Sequence, residues 1–434
     1  MNQAKAILAA TALAVAACGV GKSPPKEGLI TVNAGKTYQT MIGWEASEQS
    51  GNTDFPAAFA LYKDNLFDQA VDLGINRVRL HMLSPQENHS GFDYSSFDKC
   101  LIQVVVPLRQ KLQARGEQLW VNVNVVGNGL QDNPALYAEA VLATYQRMQN
   151  SVGFIPDSWE VALEPDTEGW KCSNVGSAMV AAGDLLKANG YPSKVFVAPS
   201  SSNIRHAAGC FTEITGAFPG ANQYLAEVSY HIYGGVGRGE REAIWAIAQP
   251  RGLRTSMLEK IGATPDSLQL DLTVANVSAW EQYTLAYGTE DNGEHYFFAN
   301  GNTVVLGNIG KFLRQYFKHV RKNAVRIDAQ SSNSAFDPVA FRNANGKEVV
   351  VVNAKSQGSF AVSGLDPGTY GSFYTTGTCI TDKSCTVTAY DVQLPDQTIA
   401  GGQALTASIP DKGVITIYGT TGGDPSPGAT PTAK

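Results

Sequence analysis

Glu164 and Glu259 are the two residues of this chain whose setting first suggests chemistry. Glu164 closes the run Trp159-Glu160-Val161-Ala162-Leu163, apolar at alternate positions as a half-buried strand is. Pro165 after it cannot donate the next ladder bond and disfavours helical angles at the residue before it, so the strand stops with Glu164 at its carboxyl end. Glu259 ends a second such run, Thr255-Ser256-Met257-Leu258. One glutamate at a strand end is commonly just a solvated edge residue; the pair carries the argument. Two carboxyl groups about 5 to 5.5 Å apart can cleave a glycosidic bond with retention, one protonating the leaving oxygen and the other attacking the anomeric carbon. The ionised member of such a pair raises the pKa of the one that must stay protonated, and its glycosylation then frees its neighbour to act as a base.

Such a pair needs a scaffold that gathers strand ends, and the chain supplies one. Strand patterns at 41–44, 76–82, 118–126, 159–163, 194–200, 226–233, 254–259 and 278–283 alternate with helical stretches near 57–73, 95–115, 134–151, 175–189, 241–248 and 266–276. Repeated βα units with Val- and Leu-rich strands predict a parallel sheet covered by helices. Eight of them over about 280 residues predict an α/β fold closed into a (β/α)8 TIM barrel, whose chemistry lies at the carboxyl ends of its strands. Glu164 then ends the fourth strand and Glu259 the seventh, facing each other across the mouth. After a last helix at 307–321 the texture changes to short alternating runs such as 338–341, 348–353 and 414–418. These predict an antiparallel β-sandwich of roughly 100 residues. Near the start, 29–32 and 38–44 read as strands joined by a turn at Asn33-Ala34-Gly35-Lys36.

With 43% apolar and 17% charged residues among 434, the composition is that of a well-packed soluble protein. A net charge of −6 without a basic run excludes nucleic acid as an expected partner. Lys5 precedes an apolar run from Ala6 to Ala17, too short to span a bilayer and suited to a signal peptide. The run ends Val15-Ala16-Ala17-Cys18, which resembles a bacterial lipobox; the resemblance implies that Cys18 is lipidated, plain cleavage near the same alanines being the alternative. A tether with Pro24 and Pro25 follows, and the Gly-, Pro- and Thr-rich end from 421 is expected to be disordered. The protein is thus expected outside the cytoplasm as a monomer, on the periplasmic or surface face of a membrane that it touches through lipid alone. In an oxidising space Cys379 and Cys385 can close a small loop, Cys172 and Cys210 fall in successive loops, and Cys100 is left as a buried thiol. The Cys and His spacing fits no zinc pattern, so neither a metal nor a cofactor is expected.

A barrel with Glu-Pro closing its fourth strand and Glu its seventh resembles the clan A glycoside hydrolases, and is most similar to glycoside hydrolase family 30. The motifs that carry this are Tyr38-Gln39-Thr40-Met41-Ile42-Gly43-Trp44, Val78-Arg79-Leu80, Ile309-Gly310-Lys311-Phe312-Leu313 leading to Val325-Arg326-Ile327, Val339 to Gly346, and Val349 to Asn353. The resemblance runs from about Ile30 to Tyr418. It implies a retaining β-glycosidase on an oligo- or polysaccharide, with Glu164 as acid/base and Glu259 as nucleophile. It also implies that the first strands join the β-domain, giving a leader at 1–18, a tether at 19–28, strands at 29–40, a barrel at 41–322, a sandwich at 323–420 and a tail at 421–434. Arg79 would hold the nucleophile ionised, although by itself it reads equally as the partner of a buried Glu160. His231 would meet substrate and Tyr233 would hydrogen-bond the nucleophile, the alternative for both being core packing. One departure is Leu163, where the clan has an asparagine that contacts the sugar 2-hydroxyl. Asn122 or Asn124 must then take over, or the substrate is bound differently.

Trp44 and Trp280, near the ends of the first and eighth strands, are candidates for sugar-stacking platforms or else core residues. Glu45 and Glu281 beside them are rival carboxylates. Glu160 shares the phase of Glu164 but lies about 13 Å deeper, which suits a structural ion pair. The rival reading of the whole chain is a glycan-binding surface lipoprotein on the same barrel without turnover.

Overall fold

The computed structural model describes residues 26–48, 59–83, 94–127, 129–235, 237–380 and 384–420. The leader with Cys18, most of the tether and the tail from 421 lie outside them. After β1 (Lys26–Thr40) come eight strands: β2 (Gly43–Ser47), β3 (Ile75–Leu83), β4 (Trp120–Val126), β5 (Ser158–Glu160), β6 (Phe196–Asn203), β7 (Leu225–Gly234), β8 (Arg254–Glu259) and β9 (Val277–Ala286). They pair in parallel in chain order, and β9 pairs with both β8 and β2, which closes the ring. The pleat then sorts the side chains. Val78 and Leu80 of β3 and Val121 and Val123 of β4 join the apolar core, while Arg77, Arg79, Asn122 and Asn124 alternate with them and are buried as polar groups. An apolar outer face meets the helices, and a polar inner face fills the barrel.

One expected element is shorter than its pattern, and two elements are additional. The strand expected over 159–163 ends at Glu160; beyond it single bonds, Val161 N to Val197 O (3.1 Å) and Leu163 N to Val125 O (2.8 Å), hold the chain to its neighbours. The unpredicted helix Ile204–Ala217 lies between β6 and β7, with Asn203 accepting at its start from Arg205 N and Ile204, Ala207, Phe211 and Ile214 buried at helical spacing. The hairpin β10 (His295–Asn300) and β11 (Thr303–Leu306), also unpredicted, hangs on β9 before the helix Asn308–Phe317.

The second sheet runs β12 (Val325–Ser331), β13 (Phe336–Arg342), β14 (Glu348–Ala354), β15 (Gly358–Ser363), β16 (Gly368–Ile380), β17 (Ser384–Ile399), β18 (Leu405–Ile409) and β19 (Gly413–Gly419). In space the order is β17-β16-β19-β14-β13-β12-β1-β15-β18. As expected β1 belongs here, but as one strand from Lys26, so the tether's last residues are part of the fold. The expected turn at 33–36 is a break in register against β12, because β12 resumes pairing at Thr37. The sandwich is mostly antiparallel, β1 and β15 being parallel. Its own core gathers Ile30, Val32, Phe336, Val350, Val352, Phe360, Ile415 and Ile417.

Cys172 bonds to Cys210 and Cys379 to Cys385, and Cys100 is a buried free thiol. Cys172 and Cys210 stand on helices rather than in loops. The first opens helix Cys172–Ala188, directly after the segment that carries Glu164, and ties it to the newly found helix. The bond spans 38 residues, for which loop entropy gives about 3 to 4 kcal/mol. Replacing both cysteines by alanine should lower the urea midpoint accordingly. An unchanged midpoint would show that helix packing alone holds this segment.

Candidate active site

Glu164 is reached through a kink. Its φ is 43°, a left-handed angle that costs a residue other than glycine about 1 to 3 kcal/mol. Its carbonyl accepts from Thr167 N (2.9 Å) and Glu168 N (3.0 Å), so the chain turns sharply after the strand. The turn aims the carboxyl group across to β7, where Glu164 Oε1 lies 2.8 Å from His231 Nδ1.

Glu259 needs no such device, being the last residue of β8. Its Oε1 accepts from Tyr233 Oη (2.8 Å) and its Oε2 from Arg79 Nη1 (2.7 Å). A carboxyl oxygen of each glutamate and a ring nitrogen of His231 all lie within 4.8 Å of one another. Arg79 touches both carboxylates, since its Nη2 and Nε also donate to Glu160 at 2.7 and 3.0 Å. Arg79 Nη2 is 3.4 Å from His231 Nε2. A guanidinium cannot accept, so Nε2 must, and the proton sits on Nδ1, which donates to Glu164. The trio is not arranged as a cation site: the Nδ1 proton is spent on Glu164, and Arg79 already sets a positive charge on Glu259.

Around this centre the barrel interior holds more carboxylates than cations. Glu45, Glu160, Glu227, Glu259 and Glu281 surround the fully buried Arg77 and Arg79. Arg77 pairs with Glu45 (2.8 Å) and Glu227 (3.0 Å), and Arg79 stands 3.8 Å from Glu281. Burial opposes the Arg79 charge, but Glu160, Glu281 and Glu259 outweigh it and hold its pKa well above the usual value. Burial likewise works against Glu160, yet Arg79 overcomes it and lowers that pKa. Glu45 and Glu281 lose the contest: burial pushes Glu45 up to about 7 and Glu281 well above the ordinary range despite Arg79. Burial thus favours the protonated form of both rival carboxylates. On Tyr233, burial and Glu259 raise the pKa, so the phenol keeps the proton it donates.

The tryptophans are a correction. Trp44 and Trp280 are 1% and 0% exposed and point out of the barrel, Trp44 stacking on Phe317 at 4.3 Å and Trp280 meeting the same ring edge-on at 6.0 Å. They offer no face to a sugar. Asn122 spends its amide on Glu160 (3.4 Å) and accepts from Ser158 Oγ (2.8 Å). Asn124 sits one inward layer higher beside His81, with Oδ1 2.7 Å from Nδ1. His81, Ser47 and Glu48, unremarked in the sequence, complete this corner. The alternation Arg77, Arg79, His81 was the signal for the first of them.

The sequence matches no protein-family model and no curated protein. Solved structures do resemble it. The catalytic domain of family 30 xylanase C from Talaromyces cellulolyticus superposes with a TM-score of 0.70 at 18% identity, over 91% of this chain and 100% of that one. A family 30 subfamily 8 xylanase from Clostridium acetobutylicum gives 0.69 at 18% identity over the same shares. An endo-β-1,6-glucanase gives 0.65 at 16%, over 91% of this chain and 95% of its own. The chain has the fold of family 30 glycoside hydrolases. Residues 159–164 and 254–259 are thus read within that architecture.

The surplus of interior carboxyls has a consequence for stability. Glu45 binds its proton more tightly when folded than unfolded, so its contribution is complete below about pH 4.5 and is lost as pH rises through about 7. Melting temperatures of wild type and Glu45→Gln across pH 5 to 8 should diverge, the variant gaining on the wild type as pH rises. A constant difference would mean that Glu45 is ionised throughout.

Proposed function

We propose that the protein is a retaining β-glycoside hydrolase acting on an extracytoplasmic oligo- or polysaccharide, with Glu164 as acid/base and Glu259 as nucleophile. The observation that carries this is the separation of the two carboxyl groups, whose oxygens approach within 4.8 Å. That close approach supports direct attack by one of them over the wider spacing, about 6.5 to 9.5 Å, at which inverting enzymes hold their carboxyl groups. In the first step Glu259 bonds to the anomeric carbon while the proton of Glu164 passes to the departing oxygen. In the second, Glu164 takes a proton from water, the hydroxide oxygen bonds to the same carbon, and Glu259 leaves as a carboxylate. Arg79 and Tyr233 favour that carboxylate by donating to both its oxygens. His231 donates to one oxygen of Glu164, so the other is the one to carry the catalytic proton. The solved relatives in fold include xylanases and a β-glucanase, which supports a β-linked glycan as substrate.

The roles are separable by stereochemistry, after a panel of aryl β-glycosides has identified a substrate. Glu259→Ala should be inactive and rescued by azide to a glycosyl azide of inverted configuration. Glu164→Ala should still form the covalent intermediate from an activated aryl glycoside, and azide should then release a product of retained configuration. Swapped configurations would exchange the roles, and unimpaired activity in either variant would remove that residue from catalysis. A wild type that binds glycans without cleaving any would leave only a binding protein.

We further propose lipid anchoring at Cys18, on the Val15-Ala16-Ala17-Cys18 motif. The wild type should fractionate with membranes and Cys18→Ser should not; a soluble wild type with an unmodified amino terminus would refute the anchor.

A further inference from the structure

Asn124 is wholly buried on the inner face of β4, and among the described residues its Nδ2 has no hydrogen-bond partner. It stands in the inward layer directly above Arg79, beside His81, and its neighbour Val125 binds the backbone of Leu163, next to Glu164. An amide nitrogen left unpaired in such a place has lost its hydration without a hydrogen bond in exchange. A group that enters the barrel mouth can recover this. We propose that Asn124 donates this amide to a hydroxyl oxygen of the sugar held between Glu164 and Glu259, and that Glu48, Ser47 and His81 hold it in the donating orientation. The inference rests on the glycosidase reading and deepens it.

The orientation follows from the hydrogen-bond chain. His81 Nδ1 lies 2.7 Å from Asn124 Oδ1, and His81 Nε2 lies 2.5 Å from Ser47 Oγ. Ser47 has one proton, and Glu48 Oε2, 3.5 Å away, competes for it. Glu48 Oε1 accepts from the His81 backbone at 3.2 Å. While Glu48 is neutral, Ser47 donates to Nε2, the imidazole proton rests on Nδ1 and faces Oδ1, and the NH2 group of Asn124 points to the sugar. Once Glu48 is ionised it draws the Ser47 proton, the imidazole shifts its own proton to Nε2, and Asn124 must turn. It then presents oxygen where the substrate needs a donor.

Burial raises Glu48 to about 8, against the hydrogen bonds it receives and the charge of Arg79. His81 is lowered to about 3 by burial and then Arg79, so it stays neutral and changes tautomer instead of charge. The groups facing this corner are Arg79 and His81 from β3, Cys100 from helix Ser95–Cys100, Tyr283 from β9 and, toward His81, Glu160 from β5.

Two measurements on the full chain test this. Imidazole 15N spectra, assigned by loss of a signal in His81→Gln, should show His81 with its proton on Nδ1 at pH 6 and on Nε2 above about pH 8, and Glu48→Gln should abolish the change. The second uses the best aryl glycoside of the panel and its monodeoxy analogues. Wild type should lose about ten- to a hundredfold in kcat/KM on one analogue. Asn124→Ala should show that loss on the parent substrate and no further loss on that analogue. Additive losses on every analogue would overturn the contact. A proton on Nε2 at pH 6 would overturn the orientation while leaving the glycosidase reading intact, whereas failure to turn over any glycoside would remove that reading and the sugar contact with it.

Discussion

The Arg79 guanidinium is the point on which the rest of the site depends. It is fully buried and donates to Glu160 twice, to Glu259, to the Leu258 carbonyl and to His231. One planar group thereby touches one catalytic candidate directly and fixes the tautomer of the imidazole that touches the other. Burying such a charge costs several kcal/mol, recovered only when its donors are all met with good geometry. Glu160 makes that possible. Four residues below Glu164, it gives Arg79 a permanent counter-charge, so the fork stays rigid whatever happens to the charge of Glu259.

The interior charge imbalance follows from this arrangement. Arg77 and Arg79, with Arg254 3.5 Å from Glu227, leave two of the five buried glutamates without a counter-charge, and burial raises the pKa of Glu45 and Glu281 against the attraction of the arginines. A neutral carboxyl is a donor as well as an acceptor, so these residues fill the barrel with polar groups without adding repulsion around Glu259. The kink at Glu164 belongs to the same economy of positions. A regular strand would carry its side chain on along the ladder; the left-handed turn brings it over His231, and the bonds from Thr167 and Glu168 hold the turn.

Much of this was legible because it depends on period and on strand ends. The pattern Thr255 to Glu259 gave β8 to within a residue, whereas the fourth barrel strand stops at Glu160, four residues short of the end that Glu-Pro marked. The Arg79–Glu259 and Tyr233–Glu259 contacts were implied by resemblance. What was not legible depends on phase and on contacts between distant strands. Trp44 and Glu45 differ by one position, as do Trp280 and Glu281, and a one-residue shift exchanges the faces of a strand. In the structure Trp44 pairs with Trp280 and Glu45 with Glu281, so both tryptophans face the helices and both glutamates face the barrel axis. The corner of Ser47, His81 and Asn124 comes from three successive strands, and no local pattern announces it. The helix Ile204–Ala217 was missed although its apolar spacing is regular, because Gly209 and the flanking polar residues resemble a loop.

That phase also explains why residues chemically suited to sugars do not serve here. Phe317, at the end of helix Asn308–Phe317, packs against both tryptophans, and Trp44 Nε1 donates to Val320 O at 2.7 Å just beyond it. On the same helix Gln315 turns the other way, donating to Thr375 of β16 (3.0 Å) and accepting from Thr416 of β19 (2.9 Å). One helix thus seals the outside of the barrel and seats the β-domain on it. The aromatic area that holds this helix to the barrel lies on the outer wall, while the carboxylates converge at the strand ends. A barrel can separate the two tasks because alternation along each strand sends one residue to packing and the next to chemistry. The parallel ladder fixes the polar side chains of β3 and β4 in the layers beside the carboxylates.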